Sequence, residues 1–159
     1  MGLGSNLGDP PANLNEAERR IAGLLGVRLA ACSRIWLTEP QGFKEQPWFA
    51  NRVLRLECAP EWTPEALLDA LLRIECDMGR QRGVRFGPRN IDVDLLLFDE
   101  RVMATESLIL PHPRIRVRAF VLIPLREVAG NLIFPDGDTV DQALDRLRFT
   151  ISGERIRQE

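Results

Sequence analysis

The chain has 159 residues, 45% of them hydrophobic and 28% charged, with a formal net charge of -2. That length suits one domain with its own core, residues 1–159, and the balance excludes a disordered or fibrous chain. A near-neutral charge gives no electrostatic reason to expect nucleic acid or a membrane as partner.

No run reaches the ~20 apolar residues of a membrane span. Cys32, Cys58 and Cys76 have no C-x-x-C spacing and are expected to be reduced, small core residues of a cytoplasmic monomer. Lys44 is the only lysine, so the positive charge is almost entirely arginine.

In chain order, MGLGSNLGD reads as a glycine-rich turn. Only Met1 to Leu3 precede it, which leaves a first strand that is either abbreviated at an edge or cut short where the sequence starts. Asp9 as N-cap, with Pro10 in the first turn, begins a helix. Its apolar face is Leu14, Ala17, Ile21, Leu24 and Leu25, and Gly26 ends it. Arg28 to Leu37 alternates as a strand, Thr38 to Pro47 is a loop by composition, and Trp48 to Cys58 is a second alternating strand.

Thr63 and Pro64 open a second helix with Leu67, Leu68, Leu71, Ile74 and Met78 on one face and Gly79 as its stop. An arginine- and glycine-rich loop leads into the strand IDVDLLLF, Ile91 to Phe98. Beyond it, RVRAFVLIPLREVA reads as a short helix interrupted at Pro124, and VDQALDRL as a final helix that ends the fold. Strand, helix, strand, strand, helix, strand is the order of a ferredoxin-like split β-α-β sandwich, an α+β fold with extra C-terminal helices.

Asp92 and Asp94 are two apart in a strand and so share a face, about 6.6–6.8 Å apart along it. Ile91, Val93, Leu95 and Leu97 take the other face. Two ionised carboxylates that close repel, and a dry site would force a proton onto one of them. A divalent cation removes the conflict, and hard oxygen ligands with a phosphate substrate point to Mg²⁺. Solvated acids, or ion pairs to nearby arginines, are the alternative. Arg80, Arg82, Arg85 and Arg89, interleaved with Gly79, Gly83 and Gly87, supply guanidinium forks that match phosphate oxygens.

Acids for a metal beside arginines for phosphate make a polyphosphate site. His112, held between Pro111 and Pro113, is either structural or a fixed phosphate donor. Phe49 with Asn51 suits a flat heterocycle, the ring stacking and the amide reading an edge; Phe120 is a second such aromatic. No G-x-S-x-G elbow and no P-loop occur. A nucleotidyltransferase would set its acids about ten residues after a Gly-Ser loop, and an RNA-binding module would carry a basic balance.

GLGSNLGD, TEPQG…QPWFAN, IE-x3-GR-x-R, GPRNIDVDLLLF and LPHPR-x3-RAFVLIPL occur in the same order as in the 6-hydroxymethyl-7,8-dihydropterin pyrophosphokinases of folate biosynthesis. The chain resembles that family from Gly2 to about Pro135. The resemblance implies transfer of the pyrophosphoryl group of ATP to the pterin hydroxymethyl oxygen, with release of AMP. It implies that Asp92 and Asp94 hold two Mg²⁺ ions, that Arg80 and Arg89 neutralise the group in transfer, and that Asp94 accepts or relays a proton. Arg82, His112 and Arg118 match ATP-contacting positions, with Glu75 near the nucleotide. Phe49 and Phe120 would sandwich the pterin, while Asn51 and the segment carrying Thr38, Glu39, Gln41 and Gly42 read its edge.

Overall fold

The computed structural model describes residues 1–80 and 87–159. The strand that leads the sequence is the glycine segment itself: β1 (Gly2–Ser5) lies inside the sheet, antiparallel to β4 (Phe49–Cys58) on one side and β5 (Asp92–Asp94) on the other. It is neither a turn nor an edge. α1 (Pro10–Ala22) follows, with the Asp9 carboxylate accepting the Ala12 N–H at 3.1 Å and Leu14, Ala17 and Ile21 buried. It stops at Ala22 rather than at Gly26, and Leu25 is left exposed.

The expected strand from Arg28 to Leu37 is two pieces, β2 (Val27–Cys32) and β3 (Trp36–Thr38), both lying antiparallel along β4. Ser33 causes the break: its Oγ accepts the Val53 N–H at 3.0 Å and donates to the Arg34 carbonyl at 2.8 Å, so a side chain replaces part of the ladder. α2 (Pro64–Asp77) has Thr63 as N-cap, and Gly79, at φ 76, follows it in the left-handed conformation that releases the chain.

Only Asp92–Asp94 of the expected strand Ile91 to Phe98 is ladder-paired. β6 (Met103–Ala104) and β7 (Ile109–Leu110) form a separate small ribbon. After a 3₁₀ turn at Ile115–Val117, α3 (Ala119–Ala129) runs through Pro124 without interruption, and α4 (Val140–Asp145) is short and closed by a Thr139–Gln142 capping box. The chain does not end on that helix. β8 (Phe149–Ser152) and β9 (Arg155–Gln158) form a hairpin, and β9 adds to the main sheet parallel to β3.

The main sheet therefore runs β5-β1-β4-β3-β9-β8, with β2 also on β4. α1 and α2 pack on one face through Leu3, Leu54, Val93, Leu71 and Ile74; α3 and α4 pack on the other through Trp36, Val53, Leu96 and Leu122. Burial of these clusters in two layers, at roughly 25 cal/mol per Å² of apolar surface, is what holds the helices to the two faces of the sheet. The cysteines are not core: Cys32 and Cys76 are exposed and Cys58 half-buried. Among the described residues, no helix is long and apolar enough to cross a membrane.

Candidate active site

Strand register builds the floor of the site. Directly opposed residues share a face, and the ladder opposes Trp36 to Asn51, Asn51 to Gly4, and Gly4 to Asp92; one row along, Val53 lies opposite Gly2 and Gly2 opposite Asp94. The same face carries Thr38 and Phe49. α3 and α4 cover Trp36, Val53 and Leu96, and the rest of this face is the floor of a cleft of ≈ 930 Å³. β1 contributes glycine at both floor positions. A Cβ on Gly4 would stand 3.0 Å from Asn51 Oδ1, so the missing side chain is what lets the asparagine and the aspartates share one surface.

Every residue expected at the site lines this cleft except Arg82 and Arg85, which lie outside the described residues. Asp92 is gripped by two arginines, Arg80 Nη2 at 2.7 Å and Arg89 Nη1 at 2.6 Å. The ion-pair alternative is thus the state in which the structure holds Asp92. Asp94 meets Arg118 at 3.6 Å, and the same guanidinium sits over the Phe120 ring, 5.4 Å from its centre. Burial raises Asp94 above the ordinary carboxylate value and the Asp92 charge adds to the rise, while His112 and Arg118 work against it. This carboxylate is short of positive charge.

Among the described residues no group of three or more His, Cys, Asp or Glu converges as a cage for a metal. Two carboxylates on one face suit instead a hard cation that takes its other ligands from water and phosphate.

Glu75 enters from α2. Its carboxylate accepts the Val93 N–H at 2.5 Å and pairs with Arg80, so one buried acid caps the open edge of β5 and anchors an arginine that also holds Asp92. Burial pushes Glu75 up, opposed by the Val93 N–H and Arg80. His112 lies on the far wall, its backbone N–H donating to the Leu96 carbonyl at 2.8 Å. Its Nδ1 accepts the Arg114 N–H at 3.2 Å, which leaves the proton on Nε2, and burial lowers it from the ordinary imidazole value. The result is a neutral ring with a donor on Nε2.

Phe49 and Phe120 are half-buried and line the cleft, and Phe120 also packs against the core cluster beneath α3. Asn51 is buried, its Nδ2 donating to Thr38 Oγ1 at 2.6 Å. Thr38, Glu39, Gln41 and Gly42 form the wall beside it.

Asn6 is the residue that sequence reasoning passed over. Buried to 2% exposure, it receives the Arg89 N–H on Oδ1 at 2.8 Å and donates its own N–H to the Arg89 carbonyl at 3.0 Å. Its Nδ2 donates to Gln46 Oε1 and to the Pro47 carbonyl, both at 3.0 Å. One side chain therefore ties the arginine segment to the loop before β4. The only sequence signal was a Gly-Ser-Asn triplet of no chemical specificity.

Against known proteins, residues 1–130 match the family model for 7,8-dihydro-6-hydroxymethylpterin-pyrophosphokinase. A 2-amino-4-hydroxy-6-hydroxymethyldihydropteridine pyrophosphokinase of Methylorubrum extorquens is 43% identical over 147 residues, covering 92% of this chain and 91% of its own. One of the same name from Pseudomonas aeruginosa is 40% identical over 149 residues, 94% and 91% of the two chains. The mitochondrial folate synthesis bifunctional protein of Pisum sativum is 39% identical over 140 residues, 88% of this chain and 26% of that longer one. Match and identity extend across the segments that build the cleft, and this chain belongs to the 7,8-dihydro-6-hydroxymethylpterin-pyrophosphokinase family.

Proposed function

We propose that this protein transfers the pyrophosphoryl group of ATP to 6-hydroxymethyl-7,8-dihydropterin, giving the pterin diphosphate and AMP, as a step of folate biosynthesis. The observation that carries the reading is the cleft floor: two carboxylates on one sheet face, beside glycines that clear the space above them, fenced by arginines and next to a buried asparagine and two half-buried phenylalanines. The fold is read as the ferredoxin-like split β-α-β sandwich, single-domain over residues 1–159 and extended at its C-terminal end. The working form is taken as a cytoplasmic monomer.

The pterin hydroxymethyl oxygen attacks the β-phosphorus of ATP, and the bond from that phosphorus to the oxygen bridging it to the α-phosphorus breaks, so AMP leaves with the bridging oxygen. Asp92 and Asp94 are the groups that would hold two Mg²⁺ ions, which supply charge neutralisation to the triphosphate and lower the pKa of the hydroxyl. Arg80 and Arg89 leave Asp92 for the phosphates and stabilise the charge of the group in transfer. Asp94, on the floor below the attacking hydroxyl, accepts or relays its proton. His112 Nε2, Arg82 and Arg118 hold ATP oxygens, and Glu75 keeps Arg80 in place. Phe49 and Phe120 stack the pterin while Asn51 and the Thr38–Glu39–Gln41–Gly42 wall read its edge.

The test is the nucleotide product. Protein incubated with ATP, Mg²⁺ and 6-hydroxymethyl-7,8-dihydropterin should release AMP. ADP would mean a simple kinase, free pyrophosphate a nucleotidyltransferase, and no turnover would overturn the reading.

A further inference from the structure

The β8–β9 hairpin lies beyond residues 1–130, the span that carries the family match, and its last residue touches both sides of the cleft. Gln158 is half-buried and does not line the cleft itself. Its Oε1 accepts the Ala119 N–H at 2.7 Å and the Gln41 Nε2–H at 3.3 Å. Its Nε2 donates to the Val117 carbonyl at 2.8 Å. Gln41 belongs to the wall beside Asn51, whereas Val117 and Ala119 flank Arg118 and lead directly to Phe120. A single carboxamide thus joins the two walls.

The contact answers a local need. Ala119 is the first residue of α3, where backbone N–H groups have no helical partner, and Arg118, the N-cap, makes no side-chain capping bond. Gln158 caps the helix from a different part of the sheet. The strand that carries it also props the opposite wall: the Leu37 N–H donates to the Glu154 carbonyl at 2.8 Å, and the Glu39 N–H reaches the Ile156 carbonyl at 3.4 Å. Thr38 and Glu39 therefore take their backbone position from the hairpin, and Phe120 and Arg118 take theirs from its terminal glutamine.

We infer that Gln158 is a positioning residue that sets the separation between the Thr38–Gly42 wall and the Arg118–Phe120 wall, and through it the fit of a flat bicyclic heterocycle between them. This rests on the pterin reading of the cleft. Removing the carboxamide breaks no bond to Asp92, Arg80 or Arg89 and reaches Asp94 only through Arg118, so the loss falls on ground-state binding, of the heterocycle first and of ATP second, rather than on the chemical step.

The experiment compares wild type, Gln158→Ala and Gln158→Glu in full-length protein, with pterin KM, kcat, thermal midpoint and amide exchange at Ala119 as readouts. Gln158→Ala should raise the pterin KM about five- to tenfold, as expected for one or two lost hydrogen bonds, with kcat within about twofold. Ala119 exchange should accelerate in the same variant. Gln158→Glu keeps the acceptor oxygen but sets a second acceptor against the Val117 carbonyl, so it should recover Ala119 protection and only part of the KM.

An unchanged KM in Gln158→Ala beside an active wild type overturns the clamp alone. So does a loss of activity that follows the thermal midpoint equally in both variants. A wild type that neither binds nor turns over the pterin overturns the clamp together with the functional reading.

Discussion

Gly4→Ala isolates the part played by the bare floor. Gly4 has no positive φ, so alanine can adopt its backbone conformation, and the smaller freedom of the unfolded chain should add about 0.4–1 kcal/mol of stability. Against this, the new Cβ would stand 3.0 Å from Asn51 Oδ1, tighter than ordinary van der Waals contact, so the amide must shift by a few tenths of an ångström. That shift strains the 2.6 Å bond from Asn51 Nδ2 to Thr38 Oγ1, worth about 1 kcal/mol net, and the two terms roughly cancel in the free protein. They do not cancel for the substrate.

If the Asn51 amide reads the pterin edge, one polar contact left unpaired costs about 1–3 kcal/mol, a rise in pterin KM of roughly five- to hundredfold. Thermal unfolding by circular dichroism and steady-state kinetics on both substrates are the assays. The expected result is a midpoint near wild type, an ATP KM changed little and a pterin KM raised. A pterin KM equal to wild type would refute the argument from crowding at Asn51.

Other perturbations separate the remaining parts. Asp94 has a folded-state value raised above its unfolded one, so its ionisation destabilises the native state, and stability contributed by the protonated form is lost as pH rises through the folded value. Asp94→Asn should flatten that dependence and raise the thermal midpoint in metal-free buffer at neutral pH, while kcat/KM falls about a hundredfold or more; near-normal turnover would remove Asp94 from the chemistry. Asn6→Ala strands the Arg89 N–H and the Pro47 carbonyl, at about 1–3 kcal/mol and a midpoint lowered by several degrees, with kcat falling as well. Asn6→Asp keeps the acceptor for Arg89 and should recover part of kcat; equal losses in the two variants would count against the latch.

Between the 3₁₀ turn and the loop before α4, the hydrogen bond from Arg116 holds Asp136 down to about 2. Its stabilising contribution should be complete above the ordinary carboxylate range and vanish as pH falls toward about 2. The midpoint difference between wild type and Asp136→Asn, followed from pH 6 downward by calorimetry, should therefore shrink to nothing. A difference that persists at the acid end would mean that the pair acts through packing.

The sequence was most legible where physics is local. Asp9 and Thr63 announce helix starts because the capping bond spans three residues, and the shared face of Asp92 and Asp94 follows from strand geometry alone. Legibility failed where a residue's partner is far along the chain. Asn6 reads as an ordinary polar residue until Arg89 is placed beside it, and Gln158 as tail until Ala119 is. β1 was mistaken for a turn because glycine composition outweighed pairing, yet the strand needs its glycines to clear space on one face and is held on both sides by neighbours. The break at Ser33 arose from a hydroxyl competing with the ladder, which alternation cannot register. The hairpin had a signal, the Gly153-Glu154 turn between alternating segments, that the preceding helical pattern obscured.

The position of β1 between β4 and β5 also bears on how the protein is made. Gly4 comes near the start of the chain and Asp92 past its middle, so the floor of the cleft joins strands that have α1, β4 and α2 between them in the sequence. Closure of that span costs conformational entropy that no local contact offsets, and such non-local pairings form late. A nascent chain that has completed α1 and the β2–β4 pairing still lacks Arg80, Arg89, Asp92 and Asp94. Substrates can recruit only molecules whose first and later strands have met, so ligand binding reports on the completed fold and never on its early half.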